Sequence, residues 1–256
     1  MKKYQEFSVF SQELNREIKI FMMLPKSYNE GDKSYPVLYM NDGINLFDDN
    51  LATYGKSWGI IEAFENNPDL TELIIVGIDN EGEYRSNDLV PFTFKFSDSE
   101  VLYGGNTDNY IAFITKTLKP IIDTKYRTLI NPLNTGIMGS SFGGVCATYA
   151  ALKYTEYFSK FGCVSNAYYV IQNQLENFAK SNNLKGVNKF YMDVGTKETS
   201  NDIDNQKYID SNKKMYNILK DKIDHKNIKF VIAKDAIHNE IDWEKRFPDI
   251  INFLYN

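Results

Sequence analysis

One short segment of the chain surrounds a serine with the glycines that a nucleophilic serine needs. Residues 135–144 read Thr-Gly-Ile-Met-Gly-Ser-Ser-Phe-Gly-Gly. The Gly-x-Ser-x-Gly spacing fits in one register, from Gly139 to Gly143, which makes Ser141 the candidate. A serine in this pattern lies on a strained turn between a strand and a helix, where its hydroxyl can attack an acyl carbon. Because the pattern is short enough to arise by chance, the surrounding elements must support it.

A nucleophilic serine needs a base, and the chain has two histidines, His225 and His238. A strand predicted over residues 228–233 separates them, so they lie at opposite edges of the predicted sheet. Ser141 also follows a strand, and the carboxyl ends of parallel strands meet at one edge. Crossing such a strand takes about 20 Å, which is too far for His225 to reach the serine. We therefore predict that His238 is the base and that His225 is a solvated surface residue.

A carboxylate must hold the histidine in one tautomer. Glu198 comes just after a strand predicted over residues 190–194, at the same edge as Ser141 and His238. The order serine, acid, histidine along the chain is that of α/β-hydrolases. We predict Glu198 as the acid. Three other carboxylates near this edge stay open as alternatives: Asp202, Asp193 and Asp235.

Acyl transfer also needs N–H groups that bind the oxyanion of the tetrahedral intermediate. The residue after the nucleophile, Phe142, supplies one backbone N–H. The loop after a strand predicted over residues 36–40 contains Asp42 and Gly43, and a glycine there lets the backbone point its N–H groups into the site. We predict Ile44 as the second donor, the alternative being that this loop is an ordinary Asp-Gly turn.

The elements that must position these residues alternate between strands and helices. Apolar runs predict strands at residues 5–12, 16–24, 36–40, 73–78, 135–139, 161–164, 190–194 and 228–233. Helical patterns are found near residues 57–66, 108–125, 142–153, 169–181, 203–223 and 239–254. The alternation predicts an α/β fold with an eight-stranded, mostly parallel sheet, an antiparallel N-terminal hairpin and helices on both faces.

The length of 256 residues, without repeats or a linker, predicts a single domain over residues 1–256. Residues 80–106 form the one long irregular stretch, rich in aromatic and polar residues. A loop of this length in a compact domain is usually functional, so we predict that it lies on the substrate side.

Composition excludes several classes of function. The net charge of −5 and the absence of a basic cluster argue against a nucleic-acid partner. No apolar run is long enough for a signal peptide or a membrane span, so a cytoplasmic protein without a membrane partner is expected. Cys146 and Cys163 are expected to be buried, reduced thiols. Neither metal-ligand spacing nor a nucleotide-binding fingerprint is present, so no metal and no cofactor are expected.

The chain resembles the Putative esterase family of α/β-hydrolases, which includes esterase D, enterochelin-esterase-like proteins, and feruloyl and acetyl-xylan esterases. The resemblance covers nearly the whole chain. Its motifs are Tyr39–Phe47, Ile75–Asn80 with Arg85, Leu118–Asp123 with Tyr126–Thr128, Met138–Gly144, Val194–Glu198, and His238–Glu240 with Trp243. The chain departs from the family at Thr155, where proline is usual, and in residues 165–169, a segment that often lines the acyl pocket.

The resemblance implies a serine hydrolase that cleaves a small-molecule carboxylic ester, with Ser141, Glu198 and His238 at the triad positions. Arg85 and Tyr168 are the candidate substrate-binding residues, although a structural ion pair is an equal interpretation of Arg85. Two alternatives stay open at this point: an acyltransferase that uses the same triad, and a non-catalytic protein that kept the fold. Neither the natural ester nor the oligomeric state follows from the sequence.

Overall fold

The computed structural model describes residues 2–80, 82–96 and 99–256. Eight strands form one sheet in the order β1-β2-β4-β3-β5-β6-β7-β8. The strands are β1 (Gln5–Ser11), β2 (Arg16–Met23), β3 (Val37–Asn41), β4 (Ile74–Ile78), β5 (Thr135–Ser140), β6 (Lys160–Val164), β7 (Lys189–Lys197) and β8 (Ile228–Ile237). The hairpin β1-β2 is antiparallel and pairs antiparallel with β4, whereas all pairings from β4 to β8 are parallel. The predicted α/β architecture is confirmed; that it forms a single domain stays a prediction.

Helices connect the parallel strands. They are α1 (Ile60–Asn66), α2 (Arg85–Leu89), α3 (Thr107–Ala112), α4 (Lys119–Lys125), α5 (Phe142–Lys153), α6 (Gln172–Ser181), α7 (Asp202–Leu219) and α8 (Glu240–Tyr255). A π-helical segment, Phe113–Leu118, joins α3 to α4, so the helix predicted over residues 108–125 is continuous but locally underwound.

Both faces of the sheet are buried, each under its own group of helices. Along β3, Val37 and Tyr39 point into a first apolar cluster on one face of the sheet. Leu38 and Met40 point into a second apolar cluster on the other face. This period of two is what a strand between two helical layers requires. Helices α1 and α8 cover the second cluster, while α3 to α7 cover the first. The apolar packing fixes the register of the strands, and the register determines where each strand ends relative to its neighbours.

The structure differs from the predicted elements at the ends of β7 and β8. Both strands continue past β6 as a two-stranded ribbon with an irregularity between Gly195 and Lys197. Polar residues such as Lys197 and Asp235 interrupt this extension, so it does not form a continuous apolar run. The stretch 80–106 is also more ordered than predicted, since it contains α2 and a bridge between Phe94 and Tyr103. Its residues 81, 97 and 98 lie outside the described part of the chain.

Two further expectations concern the core and the surface. Cys146 and Cys163 are both free and buried, as predicted. None of the helices within the described residues combines the length and the apolar character that a membrane span requires.

Candidate active site

Ser141 lies on the turn between β5 and α5 in a conformation that is rare for a residue with a side chain. Its backbone angles are φ 58° and ψ −118°, and its N–H donates to the Val164 carbonyl over 2.9 Å. The turn is too tight for side chains on both flanks. A Cβ on Gly139 would lie 2.8 Å from the Cα of Gly143. Such strain persists only where the surrounding structure imposes it, which is typical of functional sites.

Glu198 and His238 contact each other directly at the carboxyl edge of the sheet. Oε2 of Glu198 lies 2.6 Å from Nδ1 of His238, and the other carboxylate oxygen accepts the Gly195 backbone N–H. Burial opposes the charge of Glu198, but the hydrogen bond and charge of His238 outweigh it, so the pKa of Glu198 is lowered. The carboxylate is therefore ionised at neutral pH and holds the imidazole with its Nδ1 proton toward the acid.

Aromatic side chains fix the plane of the imidazole. The His238 ring meets Trp243 edge-on with centroids 5.1 Å apart, and Tyr208 lies 5.6 Å away on another side. Trp243 is itself anchored, because its Nε1 donates to the Ser165 hydroxyl over 2.9 Å. The imidazole is thus oriented by packing as well as by Glu198.

Ser141 and His238 open into the same cavity, which has a volume of about 660 Å³. Its walls are Asp42, Ile44, Asn45, Thr53, Tyr54, Asp79, Asn80, Gly82, Arg85, Ser140, Ser141, His238, Glu240 and Trp243. Within the described residues no hydrogen bond joins the Ser141 hydroxyl to His238. Catalytic hydrogen bonds of unliganded enzymes are often long and tighten when substrate binds. The cavity brings together the serine and the histidine that sequence reasoning selected.

The alternative acids have other partners. Asp193 is buried and accepts from Arg246 over 2.8 Å and from the Ser165 N–H over 2.8 Å. Asp235 pairs with Lys197 over 2.8 Å. Asp202 is an exposed residue at the start of α7. Of the four carboxylates considered, Glu198 alone contacts the imidazole.

The loop after β3 has the shape that an oxyanion site needs. Asp42 adopts a left-handed conformation (φ 57°) and leads into a short 3₁₀ helix over Gly43–Asn45. Gly43 packs so closely that a Cβ there would lie 2.6 Å from the carbonyl carbon of Gly77. The predicted donors Ile44 and Phe142 are both in the first turn of a helix, where backbone N–H groups have no partner inside the helix.

An ion pair that sequence reasoning left open as one alternative braces this loop. Arg85 binds Asp42 with two parallel hydrogen bonds, Nε to Oδ1 over 2.6 Å and a terminal nitrogen to Oδ2 over 2.9 Å. Burial opposes the charge of Arg85, but the Asp42 carboxylate outweighs it and raises the pKa of the guanidinium. The Asp42 N–H donates to Oδ1 of Asn80 over 2.9 Å. Both the backbone and the side chain of Asp42 are therefore held, and with them the start of residues 42–45, the predicted oxyanion loop.

A second set of contacts, which the sequence did not reveal, joins the oxyanion loop to the serine turn. Nδ2 of Asn41 donates to the Gly143 carbonyl over 3.1 Å, and the Tyr110 hydroxyl donates to Oδ1 of Asn41 over 2.7 Å. Asn41 precedes the loop and Gly143 lies in the first turn of α5. The only available signal was the pair of polar residues directly after a buried strand, a position where side chains face the site.

Tyr168 does not reach the cavity. Its side chain is fully buried, and its hydroxyl lies 2.6 Å from that of Thr148 inside the first apolar cluster. The expectation that it contacts substrate is corrected by this burial. Its neighbour Tyr169 is partly exposed instead, and its ring meets Tyr208 with centroids 4.8 Å apart. Tyr208 in turn contacts His238.

Comparison with known proteins relates the chain to a family of esterases. Residues 11–254 match the family described as "Putative esterase". The chain is 27% identical to the Uncharacterized protein YbbA of Bacillus subtilis (strain 168) over 244 residues, which are 94% of this chain and 93% of YbbA.

Solved structures share the fold. An IroE-like serine hydrolase from Shewanella oneidensis superposes with a TM-score of 0.76 at 20% identity, over 98% of this chain and 80% of that one. The enterobactin esterase FES from Shigella flexneri gives a TM-score of 0.74 at 17% identity, over 98% of this chain and 58% of that one. The fold is therefore that of the esterase α/β-hydrolases.

Proposed function

Since the chain belongs to the Putative esterase family, whose match supports ester hydrolysis, we propose that it cleaves carboxylic esters through an acyl-enzyme formed on Ser141. The observation that carries the proposal is the Glu198–His238 pair, 2.6 Å apart, whose imidazole lines the same cavity as the strained serine. An ionised acid, an oriented imidazole and a serine hydroxyl beside the substrate cavity are the groups that nucleophilic acyl transfer needs.

In the first half of the proposed reaction, Nε2 of His238 takes the proton of the Ser141 hydroxyl while the oxygen attacks the ester carbonyl carbon. The backbone N–H groups of Ile44 and Phe142 bind the negative oxygen of the tetrahedral intermediate. The carbon–oxygen bond to the alcohol then breaks, and His238 gives its proton to the departing alcohol. The acyl group stays on Ser141.

In the second half, His238 takes a proton from a water molecule, which attacks the acyl-enzyme. The bond to Ser141 breaks, the serine recovers the proton, and the free acid leaves. Glu198 keeps its charge throughout, accepts the Nδ1 proton as a hydrogen bond and stabilises the imidazolium that forms in each half. All protein groups that take part in these proposed steps belong to residues that the structure describes.

The proposal is tested by Ser141→Ala with p-nitrophenyl acetate as substrate. Loss of the nucleophile should lower kcat by about 10⁴-fold or more and leave the circular dichroism spectrum unchanged. Ser159→Ala is the control, because Ser159 lies before β6 at the opposite edge of the sheet, and its buried hydroxyl has no hydrogen-bond partner among the described residues. A Ser141→Ala protein that keeps more than a few per cent of wild-type activity would refute the assignment. Ester formation with an added alcohol would reveal acyltransfer.

A further inference from the structure

The wall of the cavity beside His238 carries a buried carboxyl that the proposed reaction does not use. Glu240 is the first residue of α8, lies two positions after His238 and lines the cavity, yet it is only 3% exposed. Within the described residues its side chain forms no ion pair, and its hydrogen-bonding partner is its own backbone N–H. A carboxyl that is this buried and lacks a partner from another residue is costly to keep charged.

The charges around Glu240 do not neutralise it. The described cavity wall holds the carboxyl groups of Asp42 and Glu240 and one guanidinium, on Arg85; a further carboxyl in the wall, that of Asp79, has a contact of its own. Arg85 directs both of its hydrogen bonds in this site to Asp42, so its guanidinium forms no hydrogen bond to Glu240 within the described residues. Burial raises the pKa of Glu240, and the negative charge of Asp42 acts in the same direction. The hydrogen bond from its own backbone and the charges of His238 and Arg85 oppose this rise without cancelling it. The unliganded cavity is thus short of positive charge at the position of Glu240.

Aromatic surfaces lie in the same wall. Trp243, one turn along α8 from Glu240, lines the cavity, and Tyr54 lines it with an almost fully exposed ring. An aromatic face attracts a cation through its quadrupole, most strongly when the cation leaves water. A cavity wall that contains both a carboxylate and aromatic rings suits a quaternary or protonated amine better than a neutral or anionic group.

The position of Glu240 indicates which part of the ester it meets. His238 protonates the departing alcohol in the proposed reaction, so the residues that follow His238 at the start of α8 border the alcohol side. The oxyanion loop and the serine turn border the carbonyl instead. We propose that this cavity selects esters whose alcohol carries an ammonium group, with Glu240 as the residue that binds the cation. The inference rests on the proposed function and adds its substrate class.

A pair of substrates of equal shape tests the inference. Butyrylcholine and 3,3-dimethylbutyl butyrate differ in one atom, a charged nitrogen in place of a carbon. The wild-type protein should prefer the cationic ester by about tenfold in kcat/KM, the effect expected for one charged contact. Glu240→Gln should abolish that preference. Glu244→Gln is the matched control on the same helix, because Glu244 pairs with Lys56 outside the cavity wall; it should keep the preference.

Because the readout is a ratio, it separates recognition from general damage. A Glu240→Gln protein that loses activity equally on both esters would assign Glu240 a structural role at the N-terminus of α8 and overturn the inference. A wild-type protein without preference would overturn it as well. Calorimetric binding of both esters to Ser141→Ala measures the same preference without turnover. If Ser141→Ala binds the cationic ester preferentially but the wild-type protein hydrolyses neither ester, the proposed reaction is contradicted while the ammonium site is supported.

Discussion

The two ends of β8 show what turns a histidine into a candidate base. His225 precedes the strand, has a 99% exposed side chain and lies 3.2 Å from Asp224, its neighbour in sequence. His238 follows the strand, is 24% exposed, and is held by Glu198 and two aromatic rings. Both residues are histidines, and the single strand β8 separates them along the chain. The two histidines differ because His238 lies at the edge of the sheet where residues from other segments contact it, whereas His225 lies at the opposite edge.

The backbone shows the same contrast between the edges. Asp42, Ser141 and Ser165 have left-handed φ values between 46° and 58°, and each directly follows or soon follows the carboxyl end of a parallel strand. A non-glycine residue in this region costs on the order of 1–3 kcal/mol. The carboxyl edge therefore concentrates strained turns, which direct side chains and N–H groups into the cavity.

The two histidines allow the largest effect to be tested. His238→Ala should lower kcat on p-nitrophenyl acetate by about 10⁴-fold or more, because the serine then has no base. His225→Ala should stay within about twofold of wild type, since a solvated side chain contributes nothing to the site. The measurement is steady-state kinetics on both variants. If His238→Ala and His225→Ala lost activity to a similar extent, the proposed difference between the two edges of the sheet would be wrong.

The acids give the next largest effect. Glu198→Gln should lower kcat by about 10³–10⁴-fold, because an amide stabilises the wrong tautomer of His238 and cannot balance the imidazolium. Asp202→Asn, at the exposed start of α7, should have little effect. Kinetics with p-nitrophenyl acetate compares them directly. If Asp202→Asn were the more damaging change, the acid would have to be reassigned.

The brace of the oxyanion loop should have a smaller effect. Arg85→Lys removes the two-pronged contact with Asp42, so we expect kcat to fall by about tenfold while KM changes little, less than the loss of a whole oxyanion donor. Arg127→Lys is the control at the other edge, where Arg127 binds the backbone oxygens of Tyr28 and Lys33. A change confined to KM for Arg85→Lys would show that Arg85 contacts substrate rather than positions the loop.

At the amino edge of the sheet a buried charge should affect stability instead of activity. Lys160, at the start of β6, donates to the Leu254 carbonyl over 2.6 Å, and burial lowers its pKa from 10.5 to about 8. Between these pH values the folded protein has released a proton that the unfolded chain still binds. Stability from this group therefore rises with pH across that window, and the cost of the buried charge is fully present below it.

Lys160→Gln should remove this rise. The free energy of unfolding of wild type relative to the variant should increase by on the order of 1–3 kcal/mol between pH 8 and pH 10.5. Urea titrations at both pH values measure it, and esterase activity at pH 7 should be unaffected. Parallel stability curves for the two proteins would contradict the predicted shift.

Much of the fold could be predicted because burial leaves a direct trace in the sequence. Strands β3 to β6 lie between two helical layers and appear as short apolar runs. The ends of β7 and β8 were missed because an edge ribbon carries polar residues such as Lys197 and Asp235. Helix α2 was missed because five residues are too few to show a helical period.

The site was partly predictable for a different reason. Placing Ser141, Glu198 and His238 at one edge needs only strand directions, which the alternation of elements implies. The sequence contains no pattern that shows which side chains of distant segments contact each other. The contact of Tyr110 with Asn41 could therefore not be predicted. Tyr168 and Tyr169 show the limit most clearly, because adjacent residues of one 3₁₀ turn face the core and the surface respectively.

Covalent labelling with a fluorophosphonate, mapped by peptide mass spectrometry, tests the central proposal most directly. The reagent reacts with a serine only when a base activates it and an oxyanion site accepts the phosphoryl oxygen. We predict stoichiometric labelling of Ser141 at neutral pH, abolished in His238→Ala and retained in His225→Ala. An unlabelled wild-type protein, or a label on another serine, would contradict the proposed acyl-enzyme.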